Sequence, residues 1–279
     1  MSTSGKKPKK FFRKILKLKF FIIAAFISVG VLVSTVVYYQ MDPGLLSKLS
    51  FYMDLANPSM RIVRVQEGLR KEEIVEVIAK KLDWSETEEN QFLNAHLALG
   101  GQNLEGKYFP KTYLIHKDKG PLDVSAVMLD EFGKQISKVA KPKSKNIIKE
   151  ETILKIASLI QREAAGKGDM RLISGIIWNR IFAGMKLQVD ATLQYAKGSE
   201  EDGWWPRVVP ADKKIKSDYN TYLNQGLPPG PIANPGIDAI AAAYNPQKTA
   251  CMFYLHDRKR RIHCAKTYEE HKRNIQIYY

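Results

Sequence analysis

The segment KEETILKIASLIQREAAG, residues 149–166, predicts an amphipathic helix with one strongly apolar face. Its apolar residues recur at the three- and four-residue spacing of a helix: Ile153, Ile156, Leu159 and Ile160. Glu163 follows this series by three and by four residues, so its side chain continues the buried face. The spacing therefore places one carboxyl group against the core, near the end of the helix.

Glu163 is the first candidate for chemistry. Burial disfavours the ionised form of a carboxylate, and the negative end of the helix dipole disfavours it further. Both effects raise the pKa of Glu163, as a general acid near neutral pH requires. The alternative is that Glu163 pairs with a basic residue of the next predicted helix, residues 169–183. Glu150 and Glu151 stand at the helix start, where acidic side chains favour the dipole and remain exposed.

Three further segments have the composition of a cleft. Residues 188–192 (QVDAT) follow a predicted helix that ends at Gly184, and Asp190 is equally suited to capping the next helix. Residues 217–222 (SDYNTY) place two aromatic rings among hydrogen-bonding groups, as in many sugar sites. Residues 226–236 (GLPPGPIANPG) predict a stiff loop, because glycine and proline fix the backbone. That loop either holds one edge of a cleft or is only structural.

A smaller module, assigned to residues 59–118, precedes this half. Residues 61–66 alternate as a strand does, and residues 70–82 follow helical spacing. Ser85-x-x-Glu88 is a capping box that opens a second helix through Leu99, and residues 107–115 return to strand composition. Strand, helix, helix and strand in so few residues hold little core alone.

The second domain is assigned to residues 119–279 and is predicted to contain both helices and strands. It begins with an amphipathic helix over residues 121–140 and a basic connector over residues 141–146. Further helices, a hairpin near residues 257–260 and a last helix from Tyr268 follow. The predicted fold class is therefore α+β, with a small module followed by a mixed α/β domain.

Residues 20–39 are predicted to span a membrane. They hold 20 uncharged residues rich in Ile, Val, Phe and Ala, enough for a helix that crosses roughly 30 Å of hydrocarbon. Residues 1–19 form a basic tail without acidic residues, which keeps the N-terminus in the cytoplasm, and residues 40–58 form a stalk. A cleaved signal peptide fits less well, because its apolar core is shorter and ends in a small-residue site.

The net charge of +15 includes eight charges in the tail and leaves +7 for the rest. In an exported domain this charge favours attraction to an anionic polymer or membrane surface over nucleic acid, and a merely solvated surface is the alternative. Cys251 and Cys264 flank the predicted hairpin and fit either a disulfide or two buried thiols. Without a Cys-x-x-Cys or His-x-x-x-His cluster, the sequence predicts neither a metal nor another cofactor.

Five segments together resemble the endolytic murein transglycosylases, the MltG or YceG-like family. They are EGKYFPKTY (105–113), IASLIQREAA (156–165), IIWNRIFAGMKLQVDATLQY (176–195), YNTYLNQGLPPGPIANPG (219–236) and KTYEEHKRNIQ (266–276). Each is short, but five in the family's order make the resemblance specific, and it extends from about residue 60 to the end. It implies a LysM-like module followed by a YceG-like catalytic domain.

The resemblance implies lytic cleavage of peptidoglycan glycan strands between N-acetylmuramic acid (MurNAc) and N-acetylglucosamine (GlcNAc). The product is a 1,6-anhydroMurNAc end, and the family's catalytic glutamate, acid first and then base, falls on Glu163. We expect the following residues to bind substrate: Gln188, Asp190, Thr192, Asn220, Thr221, Tyr222, Glu105 and Tyr108. Two departures stand out, since Gln161 replaces an acid found in many relatives, and Ile262-His263-Cys264 stands where relatives often carry histidine and phenylalanine.

The resemblance also implies a place and partners. We expect a single-pass protein of the bacterial inner (cytoplasmic) membrane, with its N-terminus inside and its catalytic domain outside. The implied partners are glycan strands and penicillin-binding proteins or other cell-wall synthases. Two alternatives remain open: a hydrolase of the same bond, with Asp190 positioning water, and a non-catalytic cell-wall scaffold that recruits synthases.

Overall fold

The computed structural model describes residues 23, 26–31, 34–35, 52–101, 103–139 and 148–278. The chain divides into two compact units, Met1–Pro58 and Ser59–Tyr279. In the first unit the described residues are helical up to residue 56. The predicted basic tail, most of the predicted span over residues 20–39, most of the stalk and the connector over residues 141–146 lie outside the described residues. Among the residues described, no helix has the length and apolar character that crossing a membrane requires.

The second unit begins with the predicted order of strand, helix, helix and strand. Its elements are β1 (Met60–Arg64), α1 (Lys71–Leu82), α2 (Glu86–Leu93), a four-residue α3 (Ala95–Ala98) and β2 (Thr112–His116). β1 and β2 pair antiparallel, with Ile62 opposite Leu114. The backbone amide of Ser85 donates to the Glu88 carboxylate over 2.7 Å, which closes the predicted capping box. The second helix was expected to continue through Leu99, but it breaks at Asn94.

Helix α4 (Pro121–Ile136) supplies the core that the module lacks by itself. Its first half contributes Val124 and Met128 to the hydrophobic cluster formed with β1, α1 and β2. Its second half contributes Phe132 and Ile136 to the cluster of the C-terminal half. Because one helix is buried in both clusters, residues 59–279 form one unit, and the predicted boundary at residue 118 stays a prediction.

The C-terminal half packs around α5 (Glu150–Glu163). The four residues of the predicted apolar stripe are all fully buried, which confirms the rotational position inferred from their spacing. The remaining elements are α6 (Lys167–Phe182), α7 (Asp190–Lys197), a 3-10 turn (Pro210–Lys214), α8 (Ile237–Tyr244), β3 (Phe253–His256), β4 (Ile262–Ala265) and α9 (Tyr268–Tyr278). β3 and β4 form an antiparallel hairpin, and a disulfide between Cys251 and Cys264 joins its base.

The two predicted glycine caps differ in the structure. Gly184 follows α6 with a φ of +65°, as a C-terminal glycine does. Helix α5 instead ends at Glu163, because Ala164 adopts an extended conformation. Gly166, expected to end that helix, is extended and precedes α6. The early end leaves Glu163 as the last helical residue.

Asn234 joins the module to the C-terminal half. Its side-chain amide donates to the Glu105 carboxylate over 2.6 Å and to the Leu69 carbonyl over 3.0 Å, and its side-chain oxygen accepts from the Tyr108 backbone amide over 2.9 Å. Gly106 adjoins this junction with a φ of +85°, and a Cβ there would lie 2.8 Å from the Pro231 side chain. The stiff loop over residues 226–236 therefore serves as a docking surface for the module.

Glu105 is a buried carboxyl in this junction, 1% exposed. Burial, and secondly the charge of Glu72, raise the pKa of Glu105 from its ordinary value of 4.5 to about 7. The folded chain therefore binds this proton more tightly than the unfolded chain. The resulting stabilisation is complete below about pH 4.5 and is lost as the pH rises through about 7, a loss of roughly 3 kcal/mol.

Glu105→Gln should flatten this pH dependence, because glutamine does not ionise. We expect the free energy of unfolding of the full chain, from urea titrations in detergent micelles, to fall less between pH 5 and pH 8 in the variant than in the wild type. Glu86→Gln, which changes an exposed carboxyl at the start of α2, is the matched control and should keep the wild-type slope. Equal slopes in Glu105→Gln and wild type would contradict the assignment.

Candidate active site

Glu163 stands at the end of α5 and meets the hairpin. Its side chain is partly buried, and its Oε2 atom accepts a hydrogen bond of 2.5 Å from the Tyr254 hydroxyl. Tyr254 lies on β3, so a helix end and a strand from distant parts of the sequence supply the two partners. Burial and the nearby Glu163 charge raise the pKa of Tyr254 well above its ordinary value, so this hydroxyl keeps its proton and acts as a donor.

A cavity of about 700 Å³ opens at this pair. Apolar side chains form part of its wall, among them Leu187, Phe253 and Leu255. Its polar lining consists of Glu163, Arg180, Gln188, Asp190, Lys213, Tyr222, Tyr254, Tyr268 and His271. The predicted residues Gln188, Asp190 and Tyr222 therefore meet Glu163 in one cavity, whose volume lies within the usual range for small-molecule sites.

The environment of Glu163 favours its protonated form. Burial raises the pKa of Glu163, and the negative charge of Asp190 raises it further. The hydrogen bond from Tyr254, the charge of His256 and the Ala191 backbone amide act in the opposite direction but do not reverse the shift. A carboxyl whose pKa is raised in an open cavity is suited to donate a proton near neutral pH.

Asp190 is the second carboxyl of the cavity. It is the first residue of α7, and Val189 occupies the capping position, so the alternative in which Asp190 caps this helix is wrong. Its Oδ1 atom instead accepts a hydrogen bond of 2.6 Å from the Tyr222 hydroxyl. The Lys213 ammonium lies 4.9 Å from the centre of the Tyr222 ring. Asp190 is thus an oriented, exposed carboxylate at a helix start, where negative charge is favoured.

Three predicted substrate-binding residues lie beneath the cavity and do not face it. Thr192 and Thr221 are buried, with their hydroxyls 3.0 Å apart, and the Thr221 hydroxyl accepts from the Val189 amide over 3.0 Å. The Thr221 carbonyl accepts from the amide of Gln188, whose φ of +51° is uncommon for a residue other than glycine. Asn220 is also buried and donates to the Ile215 carbonyl over 2.8 Å. These side chains position the cavity wall.

Glu105 and Tyr108, expected to reach the same cleft, lie elsewhere. Both belong to the Asn234 junction, and the Tyr108 hydroxyl is 2.9 Å from the hydroxyl of Ser125 on α4. Glu105 borders a different cavity of about 460 Å³, which neither Glu163 nor Asp190 lines. The motif around residue 105 therefore has an architectural role here.

Gln161 also has a structural role. Its side-chain oxygen accepts from the Gly236 backbone amide over 3.0 Å, so it fastens α5 to the end of the stiff loop. A carboxylate would accept the same hydrogen bond.

Two residues missed by the sequence reasoning hold the hairpin against the helices. Asn179 donates from its side-chain amide to the Thr249 and Cys251 carbonyls, over 2.9 and 3.0 Å. Arg180, 9% exposed, donates to the Met252 carbonyl over 2.6 Å and also to the Leu187 carbonyl. Polar residues inside a predicted helix gave no signal for these contacts, because the acceptors are backbone groups remote in sequence.

Tyr254 and His271 were missed as cavity residues for different reasons. Tyr254 belongs to a short strand in which every residue suits a half-buried position. The sequence therefore did not determine which face of the strand Tyr254 occupies. His271 lies within the quoted segment 266–276, but only the packing of α9 shows that it faces the cavity, with its ring stacked 5.5 Å from Phe253. Among the residues described, no group of three His, Cys, Asp or Glu side chains is placed to hold a metal ion.

A helix-terminal glutamate with a raised pKa, hydrogen-bonded by tyrosine at a cavity of about 700 Å³, is an arrangement suited to acid–base chemistry. The chain belongs to the YceG-like family, whose model matches residues 20–277. A crystal structure of a YceG-like protein from Listeria monocytogenes has a TM-score of 0.67 and 26% identity, and the match covers 77% of this chain and 76% of that one. The mixed α/β fold is therefore the YceG-like fold.

Curated relatives carry the name endolytic murein transglycosylase. The Bacillus subtilis (strain 168) protein is 34% identical over 199 residues, which cover 71% of this chain and 53% of the relative. The Streptococcus pneumoniae (strain D39) protein is 35% identical over 175 residues, covering 62% of this chain and 32% of the relative. The chain thus matches about half the length of the first and a third of the second.

Tyr254→Phe should raise the pKa of Glu163. In the wild type the Tyr254 hydrogen bond stabilises the ionised carboxylate, and the variant lacks this bond. We expect the Glu163 carboxyl carbon signal, assigned with Glu163→Gln, to titrate at higher pH in the variant in NMR spectra of the full chain. Tyr268→Phe removes another hydroxyl from the cavity lining and serves as the control, with a smaller shift. A lower or unchanged pKa of Glu163 in Tyr254→Phe would contradict the role given to this hydrogen bond.

Proposed function

We propose that this chain is a peptidoglycan lytic transglycosylase that cleaves the MurNAc–GlcNAc bond of glycan strands and leaves 1,6-anhydroMurNAc ends. The observation that carries the proposal is Glu163, a partly buried carboxyl with a raised pKa at the wall of the cavity. The name shared by the curated relatives supports the same substrate. Because the chain matches only part of those relatives, the activity is a proposal for this chain.

In the proposed first step, Glu163 acts as general acid. Its Oε2 atom accepts the Tyr254 hydrogen bond, so we assign the proton to be transferred to Oε1. Glu163 gives that proton to the glycosidic oxygen as the bond to the anomeric carbon breaks. The Tyr254 hydroxyl then stabilises the carboxylate that forms, since a hydrogen bond to a charged acceptor is stronger than one to a neutral acceptor.

In the second step the same carboxylate acts as base. It accepts the proton of the MurNAc C6 hydroxyl as that oxygen attacks the anomeric carbon, which closes the 1,6-anhydro ring. The proton lost in the first step is thereby recovered, and no water is consumed. Asp190, held by Tyr222, places a negative charge in the cavity that favours the positive charge developing on the sugar ring.

The cavity wall offers surfaces for sugar rings. Tyr222, Phe253 and Tyr268 present aromatic side chains, while Gln188 and Lys213 present hydrogen-bonding groups. Aromatic faces beside a few polar groups are the usual composition of a site that binds amphipathic ligands. The proposed substrate contacts therefore include three residues predicted from the sequence, Gln188, Asp190 and Tyr222. The structure adds Lys213, Phe253 and Tyr268.

A hydrolase is the second candidate, because Asp190 gives the cavity a second carboxyl group. Hydrolysis needs that group as nucleophile or as base for a water molecule. In the structure Asp190 Oδ1 is already engaged by a hydrogen bond of 2.6 Å from the Tyr222 hydroxyl. Product mass separates the two reactions, since hydrolysis adds one water molecule and the lytic reaction adds none.

Glu163→Gln should abolish strand cleavage, because the amide cannot donate the required proton. We expect the full chain in detergent micelles to release anhydro-ended fragments from uncrosslinked glycan strands, with a rate at least about 100-fold lower in the variant. Mass spectrometry of the products provides the measurement. Glu151→Gln, at the exposed start of the same helix, is the matched control and should retain activity.

Each other outcome has a definite meaning. Products with reducing ends would replace the lytic mechanism by hydrolysis. Equal cleavage by wild type and Glu163→Gln would remove Glu163 from the chemistry. No cleavage by the wild type would favour a non-catalytic scaffold that recruits penicillin-binding proteins or other synthases through the LysM-like module.

We propose further that residues 20–39 anchor the chain in the cytoplasmic membrane, with residues 59–279 outside. The uncharged length of this segment and the basic residues before it support the proposal. An anchored enzyme would act where new strands emerge from their synthases.

Two arginines within the segment should release the chain from the membrane. Each charge near the middle of a span costs about 3 kcal/mol, so Ile27→Arg combined with Val31→Arg should shift the chain to the soluble fraction after carbonate extraction. The control variant, Tyr52→Arg combined with Leu55→Arg, carries its two arginines outside the segment. Its membrane-bound fraction should equal that of the wild type. Soluble wild-type chain under the same extraction would refute the anchor.

A further inference from the structure

His271 is a polar residue of the active-site cavity that has no task in the proposed reaction. It lies on α9 and lines the cavity together with Phe253 and Tyr268. We propose that His271 binds the 2-acetamido group of a sugar beside the reacting bond and thereby makes the enzyme prefer N-acetylated strands. This inference rests on the proposed function and adds a substrate feature that Glu163 does not recognise.

The imidazole of His271 has an unused capacity for hydrogen bonding. Its Nδ1 atom is buried and has no hydrogen-bond partner among the residues described. The side chain is nevertheless partly exposed and lines the cavity, so the ring meets the cavity through its other edge, which carries Nε2. Within the described ranges of the chain, no protein group forms a hydrogen bond with Nε2 either. The nitrogen that faces the cavity is thus available to a ligand.

The neighbours of His271 make its ring a neutral donor. Burial, and secondly the positive charge of Arg180, lower the pKa of His271 below its ordinary value of 6.5, so the ring is neutral near pH 7. A neutral imidazole has one N–H group and one bare nitrogen. Because an unpaired N–H group is rarely buried, we assign the bare nitrogen to Nδ1 and the N–H group to Nε2. His271 therefore presents one hydrogen-bond donor to the cavity.

The surroundings of this donor are largely apolar. The His271 ring stacks on Phe253 with 5.5 Å between the ring centroids and lies 6.3 Å from the ring of Tyr268, and Ile275 lines the cavity one helical turn further on. A 2-acetamido group matches this composition, because its carbonyl accepts a hydrogen bond and its methyl group needs none. A sugar hydroxyl matches it less well, since its own O–H group also needs an acceptor. Both sugars of the proposed substrate carry the acetamido group.

His271 lies on a different side of β3 from Glu163. Successive side chains of a strand point to opposite faces, so Tyr254 contacts Glu163 while the preceding residue, Phe253, contacts His271. All four side chains line the cavity, which therefore reaches both faces of the strand. A sugar held by His271 is thus a neighbour of the ring whose bond would break. His271 is for this reason a binding residue and takes no part in the proton transfer.

Replacement of His271 by two different amides tests the assignment. The side-chain nitrogen of glutamine takes a position close to Nε2 of histidine, whereas that of asparagine lies close to Nδ1. The background is the full chain carrying Glu163→Gln in detergent micelles, so that strands stay intact. Binding of labelled uncrosslinked strands is measured by anisotropy, before and after N-deacetylation of the sugars. The preference is the ratio of the two dissociation constants.

We expect the background protein and its His271→Gln variant to prefer N-acetylated strands. His271→Asn should lower this preference about fivefold, which is the effect of one lost hydrogen bond. The charge that deacetylation adds to the strands acts on all variants alike, so the change in the ratio reports the acetamido contact. His116→Asn, which changes an exposed histidine at the end of β2, is the matched control and should keep the preference.

An equal preference in His271→Asn and the background protein overturns the proposal. A loss of preference in both His271→Gln and His271→Asn shows that the ring only supports the cavity wall, and it overturns the proposal as well. Cleavage by the chain with Glu163 intact is assayed in parallel, where His271→Asn should lower kcat/KM for N-acetylated strands about fivefold. Cleavage without the preference removes only the acetamido contact, whereas the preference without cleavage removes only the transglycosylase activity.

Discussion

The burial of one face of α5 is the constraint on which the active site depends. Its four stripe residues are fully buried, and each such side chain contributes about 1.5–3 kcal/mol of stabilisation, so the helix cannot rotate about its axis without a large loss. That fixed rotation turns Glu163 towards the core. The helix ends at this residue, so the carboxyl reaches the cavity wall and stays only partly solvated. The raised pKa of Glu163 follows from the packing of the helix.

The second wall of the cavity is fixed by hydrogen bonds to backbone groups. Asn179 and Arg180 on α6 donate to carbonyls at the base of the hairpin, and the disulfide between Cys251 and Cys264 joins its two strands. These contacts hold Tyr254 against Glu163 without support from the substrate. A site organised in this way before binding loses little free energy in orienting its acid.

The module and the C-terminal half form one unit because α4 is buried in both hydrophobic clusters and Asn234 binds backbone groups of the module. The junction buries Glu105, so its carboxyl responds to pH although it lies outside the Glu163 cavity. The motif residues near position 105 thus maintain the architecture of this junction.

The sequence by itself determined the elements whose signals are local. The order of strands and helices, the buried stripe of α5 and the candidate Glu163 all follow from periodicity within a few turns. Which of the eight predicted substrate-binding residues face the cavity depended on tertiary packing. Gln188, Asp190 and Tyr222 line it, whereas Thr192, Asn220 and Thr221 are buried beneath it, and Glu105 and Tyr108 lie at the module junction. Tyr254 and Arg180 were beyond prediction for the same reason: their partners lie 91 and 72 residues away, and only folding brings such groups within hydrogen-bonding distance.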